Sequence, residues 1–70
     1  MIAIFKTNVQ FQMDALQIVD SLEKKLVNAK INFDLEDCDK ILRIAGTNSS
    51  KNQYIQHYMQ QLGYYCEILD

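Results

Sequence analysis

Proline is absent from this chain and glycine occurs only twice, so no flexible or proline-rich linker divides it. Tryptophan is missing, histidine occurs once and cysteine twice. A structural zinc site needs four His or Cys donors, which such a composition scarcely supplies. No apolar run approaches the roughly 20 residues that cross a bilayer, which argues against a membrane span. Positive charge is also in short supply: seven Lys and Arg stand against nine Asp and Glu, for a net charge of −2. Affinity for phosphates comes mainly from clustered Lys and Arg, so nucleic acid is a poor partner for this chain. The one adjacent basic pair, Lys24-Lys25, falls near the end of a predicted helix, where cations complement the helix dipole. Met1-Ile2-Ala3-Ile4-Phe5-Lys6 lacks the basic start and the length of a signal peptide, so a cytoplasmic location with free, reduced thiols is expected.

What is present is ordinary globular material, 49% hydrophobic and 23% charged over 70 residues. That is enough for one domain, residues 1–70, with one small core. A chain of this size buries only about 60% of its unfolded surface, so its stability is a few kcal/mol.

Hydrophobic spacing gives the order of elements. Ile2 to Lys6 is apolar nearly throughout, as in a central strand. Ala15, Ile18, Val19, Leu22 and Leu26 recur at three and four and predict a helix over 13–27, with Asp14 in its first turn and Lys24 and Lys25 in its last. Ile31-Asn32-Phe33-Asp34-Leu35 alternates as a half-buried strand. The polar run Glu36-Asp37-Cys38-Asp39 turns the chain, and 40–44 returns as a third strand, making a hairpin. Ser50 and Gln53 suit a capping box for a second helix, which carries Ile55, Tyr58, Met59 and Leu62 on one face and stops at Gly63. Tyr64 to Leu69 completes a last strand. The predicted class is α+β, a ferredoxin-like βαββαβ sandwich with both helices on one face of a four-stranded antiparallel sheet, strands 1 and 3 central. That fold hosts many unrelated functions and decides none of them.

The C-terminal run Ile55-x-x-x-Met59-x-x-Leu62-Gly63-Tyr64-Tyr65-Cys66-Glu67-Ile68-Leu69 resembles the end of the heavy-metal-associated domains of copper chaperones and metal-pumping ATPases. Ile31-Asn32-Phe33-Asp34-Leu35-Glu36 resembles their second strand, and Ile18 and Leu22 fall where their first helix places core residues. The resemblance covers nearly the whole chain and implies the same fold. Such domains bind metal through Met-x-Cys-x-x-Cys after the first strand. Laid on without gaps, Val9 takes the methionine position, and Phe11 and Asp14 take the two cysteine positions. Soft cations need close pairs of sulfur donors, so the resemblance implies the frame without its metal chemistry.

Three sets of residues remain as candidates. Val9, Phe11 and Tyr64 are expected at a hydrophobic loop tip, which also suits a small ligand. Met13 and Cys38, near Asp37 and Asp39, offer an alternative soft-metal site for copper or zinc, completed by a partner. Ile41, Tyr65 and Leu69, with either Ile2 and Ile4 or Ala3 and Phe5, are expected on the sheet face that the helices leave open, an apolar strip of the kind that marks interaction sites. Cys66 shares a strand face with Tyr64 and Ile68 toward the helices, where similar domains carry a small residue, and is expected in the core. His57 turns away from the apolar stripe of its helix. No Ser/His/Asp or Cys/His arrangement points to catalysis, and the domain is too small for a deep pocket. The expectation is a non-catalytic domain without a cofactor that acts through a protein partner or a homodimer.

Overall fold

The computed structural model describes residues 1–69. Its elements are β1 (Ile2–Thr7), α1 (Gln12–Lys25), β2 (Lys30–Asp34), β3 (Ile41–Ala45), α2 (Ser49–Gln61) and β4 (Cys66–Leu69). The sheet order is β2-β3-β1-β4 with every neighbouring pair antiparallel. This is the ferredoxin-like arrangement, with β1 and β3 in the centre.

Strand register sorts side chains onto two faces. Ala3 lies opposite Ile44, Phe5 opposite both Leu42 and Ile68, Ile31 opposite Ile44, and Thr7 opposite Cys66. These face the helices and form the core with Ala15, Ile18, Leu22 and Leu26 from the first helical segment and Ile55 and Met59 from the second. Ile2, Ile4 and Lys6 of β1, Ile41, Arg43 and Ala45 of β3, Lys30, Asn32 and Asp34 of β2, and Glu67 and Leu69 of β4 share the opposite face. The open choice for β1 thus resolves to Ile2 and Ile4 outside, Ala3 and Phe5 inside.

Helix boundaries differ from the sequence expectation where backbone hydrogen bonding outranks hydrophobic spacing. The first helix ends at Lys25; Leu26 caps it, donating its N–H to the Leu22 carbonyl at 2.8 Å, and Asn28 turns the chain with φ of 71°. Asparagine tolerates that left-handed conformation better than most residues. The second helix is capped by Asn48 and not by Ser50: the Asn48 side chain accepts from Lys51 N at 2.9 Å. Leu62 lies past its last turn and is 49% exposed, so it leaves the core stripe. Gly63 stops the helix as expected. With φ of 92° it donates to the Gln60 carbonyl, while Tyr64 N donates to the Met59 carbonyl, the paired bonds of a Schellman cap.

Gly46, at φ 78°, is the more constrained glycine. A Cβ there would sit 3.0 Å from the Asn28 carbonyl oxygen, and its N–H donates to the Met1 carbonyl at 2.9 Å. Just after it, the buried Thr47 hydroxyl donates to Asn52 Oδ1 at 2.7 Å. This satisfied polar pair beneath the start of α2 has no counterpart in the hydrophobic pattern.

Candidate functional site

Hydrogen bonds draw three connections together at one end of the sheet. Thr7 N donates to the Asp39 carbonyl at 3.0 Å, and the Thr7 hydroxyl donates to the Lys40 carbonyl at 2.6 Å, joining the end of β1 to the β2–β3 turn. The same hydroxyl accepts from Val9 N at 3.2 Å. Asn8 Oδ1 accepts from Tyr65 N at 2.8 Å, joining the β1–α1 loop to the α2–β4 turn. The β1–α1 loop, the β2–β3 turn and the α2–β4 turn therefore share one end of the sheet.

Its members are not displayed as expected. Val9, assigned to the loop tip, is fully buried in the core. The bond from its N–H to Thr7 folds the loop back, so its side chain points inward. Phe11 is the actual tip at 67% exposure, standing at the N-cap of α1 without a capping side chain. Tyr64 packs partly against the core. Met13 is 73% exposed, so it neither packs at the helix start nor is held against Cys38 by burial.

Asp37, Cys38 and Asp39 bring one ligand atom each within 4.8 Å of one another. Two of those donors are carboxylates, and Lys6 Nζ lies 3.6 Å from Asp39 Oδ1. Asp37 Oδ1 also accepts from Asp39 N at 2.8 Å, which shapes the turn. One thiolate among carboxylates suits a borderline cation such as zinc better than Cu(I).

Cys66 is buried among apolar groups, which pushes its thiol up to about 11, so it stays protonated at neutral pH. Because the folded value lies above the ordinary one, its contribution to stability is intact below about pH 9 and is lost as pH rises toward 11. The two thiols should differ accordingly: a maleimide reagent on the native chain is expected to label exposed Cys38 alone, with Cys66 reacting only after denaturant is added. Mass spectrometry of the labelled chain distinguishes one adduct from two.

The open sheet face is apolar toward β1 and β4 and mixed in charge around them. Ile2 is 64% exposed, Ile4 is half-buried, and Tyr65 and Leu69 are exposed. The Tyr65 hydroxyl donates to Glu67 Oε1 at 2.7 Å, and that bond, more than any other influence, holds the phenol above its ordinary pKa. Ile41 faces the same side but is only 7% exposed, so it does not contribute to the accessible strip. It sits on a central strand opposite Asp34, beside the Lys6–Asp39 ion pair, and long amphipathic stems cover such positions. His57 is exposed on α2.

Among the described residues, no helix is long and apolar enough to cross a membrane. Comparison with protein-family models, with curated proteins and with solved structures finds no match for this chain.

Proposed function

We propose that this domain is a non-catalytic protein-interaction module that associates through the open face of its sheet, as a homodimer or with another protein. One observation carries the reading: Ile2, Ile4 and Leu69 form an apolar patch over neighbouring strands on the side where no helix packs, with exposed Tyr65 further along beyond the Lys6–Glu67 pair of strand positions. Contiguous apolar surface of this kind marks contact sites more often than scattered exposed residues do. The surrounding charges have both signs, Lys6, Lys30 and Arg43 with Asp34 and Glu67, so a second copy meets no one-sided repulsion. The likeness to heavy-metal-associated domains supports the frame and, with sulfur missing from the motif positions, agrees with a role apart from metal delivery.

A second reading is favoured by the Asp37, Cys38 and Asp39 grouping: zinc or copper held at the loop end, with Met13 or a partner completing the donors. Native mass spectrometry of the reduced chain over a concentration series, with and without Zn(II) or Cu(I), tests both. At high ionic strength, which suppresses charge-driven contacts elsewhere on the surface, the expected result is a dimer that grows with concentration and is lost in the Ile2→Lys/Leu69→Lys variant, with no retained metal. A dimer indifferent to those changes would remove the sheet face from consideration. One retained metal ion, lost on Cys38→Ser, would favour the second reading.

A further inference from the structure

The two ends of the molecule carry opposite charge, and each also exposes apolar side chains. At the loop end, Asp14, Glu36, Asp37 and Asp39 outnumber Lys6 and Lys40, and Lys6 is already engaged with Asp39. Phe11, Met13, Leu16 and Leu62 stand exposed there, on or beside the start of α1 and the end of α2. The opposite end holds the last turn of α1, the start of β2 and the first turn of α2, where Lys24, Lys25, Lys30 and Lys51 outnumber Asp20 and Glu23. Of these, Lys24 pairs with Asp20 at 3.2 Å; Lys25, Lys30 and Lys51 form no ion pair among the described residues.

A groove of about 310 Å³ opens at this basic end between the two helices, lined by Lys25, Leu26, Ser50, Lys51 and Tyr54. Its surface is mostly apolar with two ammonium groups at its margin, so its chemistry calls for an apolar or aromatic side chain flanked by carboxylates. The loop end of the same molecule offers that combination, with Phe11 exposed at the start of α1 and the hairpin carboxylates at the same end of the sheet.

We infer that the chain associates head to tail, the Phe11 tip of one copy entering the Lys25–Lys51 groove of the next. Charge complementarity selects this occupant. A contact between two loop ends would set carboxylates against carboxylates, and an anionic membrane surface would be repelled by the same groups. The contact joins two different surfaces, so it is heterologous and extends into open chains unless the rotation closes a ring. Its small area places it among weak, transient associations. Phe11 lying against the aliphatic stems and ammonium groups of Lys25 and Lys51 adds a cation–π component. This contact shares no residue with the sheet strip and does not rest on it.

A complementation experiment in the Ile2→Lys/Leu69→Lys background, which disables the sheet face, tests the inference. One variant adds Phe11→Ser, removing the tip; the other adds Lys25→Glu and Lys51→Glu, spoiling the groove. All of these positions are surface positions, and circular dichroism checks that both variants remain folded. In sedimentation velocity at high concentration and low salt, the background chain is expected to form species larger than a dimer, and each variant alone to be monomeric. An equimolar mixture is expected to give a one-to-one complex and nothing larger, since only one intact tip and one intact groove remain. That complex should weaken by about tenfold or more between low and high salt. A mixture that stays monomeric, or a Phe11→Ser variant that assembles like its parent, overturns the inference while leaving the sheet-face reading to its own test.

Discussion

Phe5→Ala is expected to leave the domain largely unfolded at room temperature. Phe5 is fully buried at the middle of the central strand, opposite Leu42 on one side and Ile68 on the other, beneath both helices. Truncating a buried phenylalanine costs about 3–5 kcal/mol, because the transfer free energy is lost and the cavity does not fully collapse. A domain of this size has about 3–5 kcal/mol of stability in total. The two figures are comparable, so one substitution suffices. Far-UV circular dichroism with urea titration would show it: the parent gives a cooperative transition, and the variant lies at or beyond its midpoint in plain buffer. A variant retaining most of the parent's midpoint would mean that the core around Phe5 repacks far more freely than its strand neighbours allow.

The second large effect contrasts two apolar residues in one loop. Val9→Asp is expected to unfold the chain, whereas Phe11→Asp leaves its melting curve nearly in place. Val9 is completely enclosed among apolar side chains, and a carboxylate there would lose its hydration with no cation beside it in the core cluster; such groups neutralise or unfold the protein. Phe11 already faces water, and an aspartate at that N-cap position accepts hydrogen bonds from the first turn of α1 and complements the helix dipole. Its effect on stability is thus close to zero or slightly favourable. Thermal melts of both variants decide it. Equal destabilisation of the two would contradict the inward fold of the loop held by the Thr7 hydroxyl.

That loop also shows where sequence periodicity stops being informative. Strand alternation placed Cys66 in the core and Leu69 on the open face, and both lie there, because a pleated strand leaves a side chain only two directions. Helix spacing likewise placed Ala15, Ile18, Leu22, Ile55 and Met59. Between elements no such period applies. Whether Val9 points in or out depends on one hydrogen bond to a residue two positions earlier, and nothing in the residue types signals it. Asn48 and Ser50 were both chemically suitable caps, and the choice follows from where the Gly46 turn releases the chain. Ile41 was assigned to the right face, but its burial depends on its neighbours across the sheet, which alternation within one strand does not report. Leu62 continued a hydrophobic stripe after the helix had ended. The loop end itself was legible from topology; its display of Phe11 and concealment of Val9 was not. The groove between the helices left no sequence signal, since its lining joins residues from two separate turns.

The strand order has a consequence for the chain as it leaves the ribosome. β1 and β2 are never hydrogen-bonded to each other, because β3 lies between them, and the other edge of β1 is closed by β4. A nascent chain ending after β2 therefore has two strands and one helix but no sheet to assemble. Emergence of β3 supplies the first pairings for both, yet the helix that covers the other half of the core and the strand that shields β1 come last. Within this domain the first strand made is therefore closed on its second side by the last one, so one edge of β1 stays unpaired until β4 joins it. Contacts of such long sequence separation slow folding. Cotranslational folding of this domain is accordingly a single late event with no stable half-way fold.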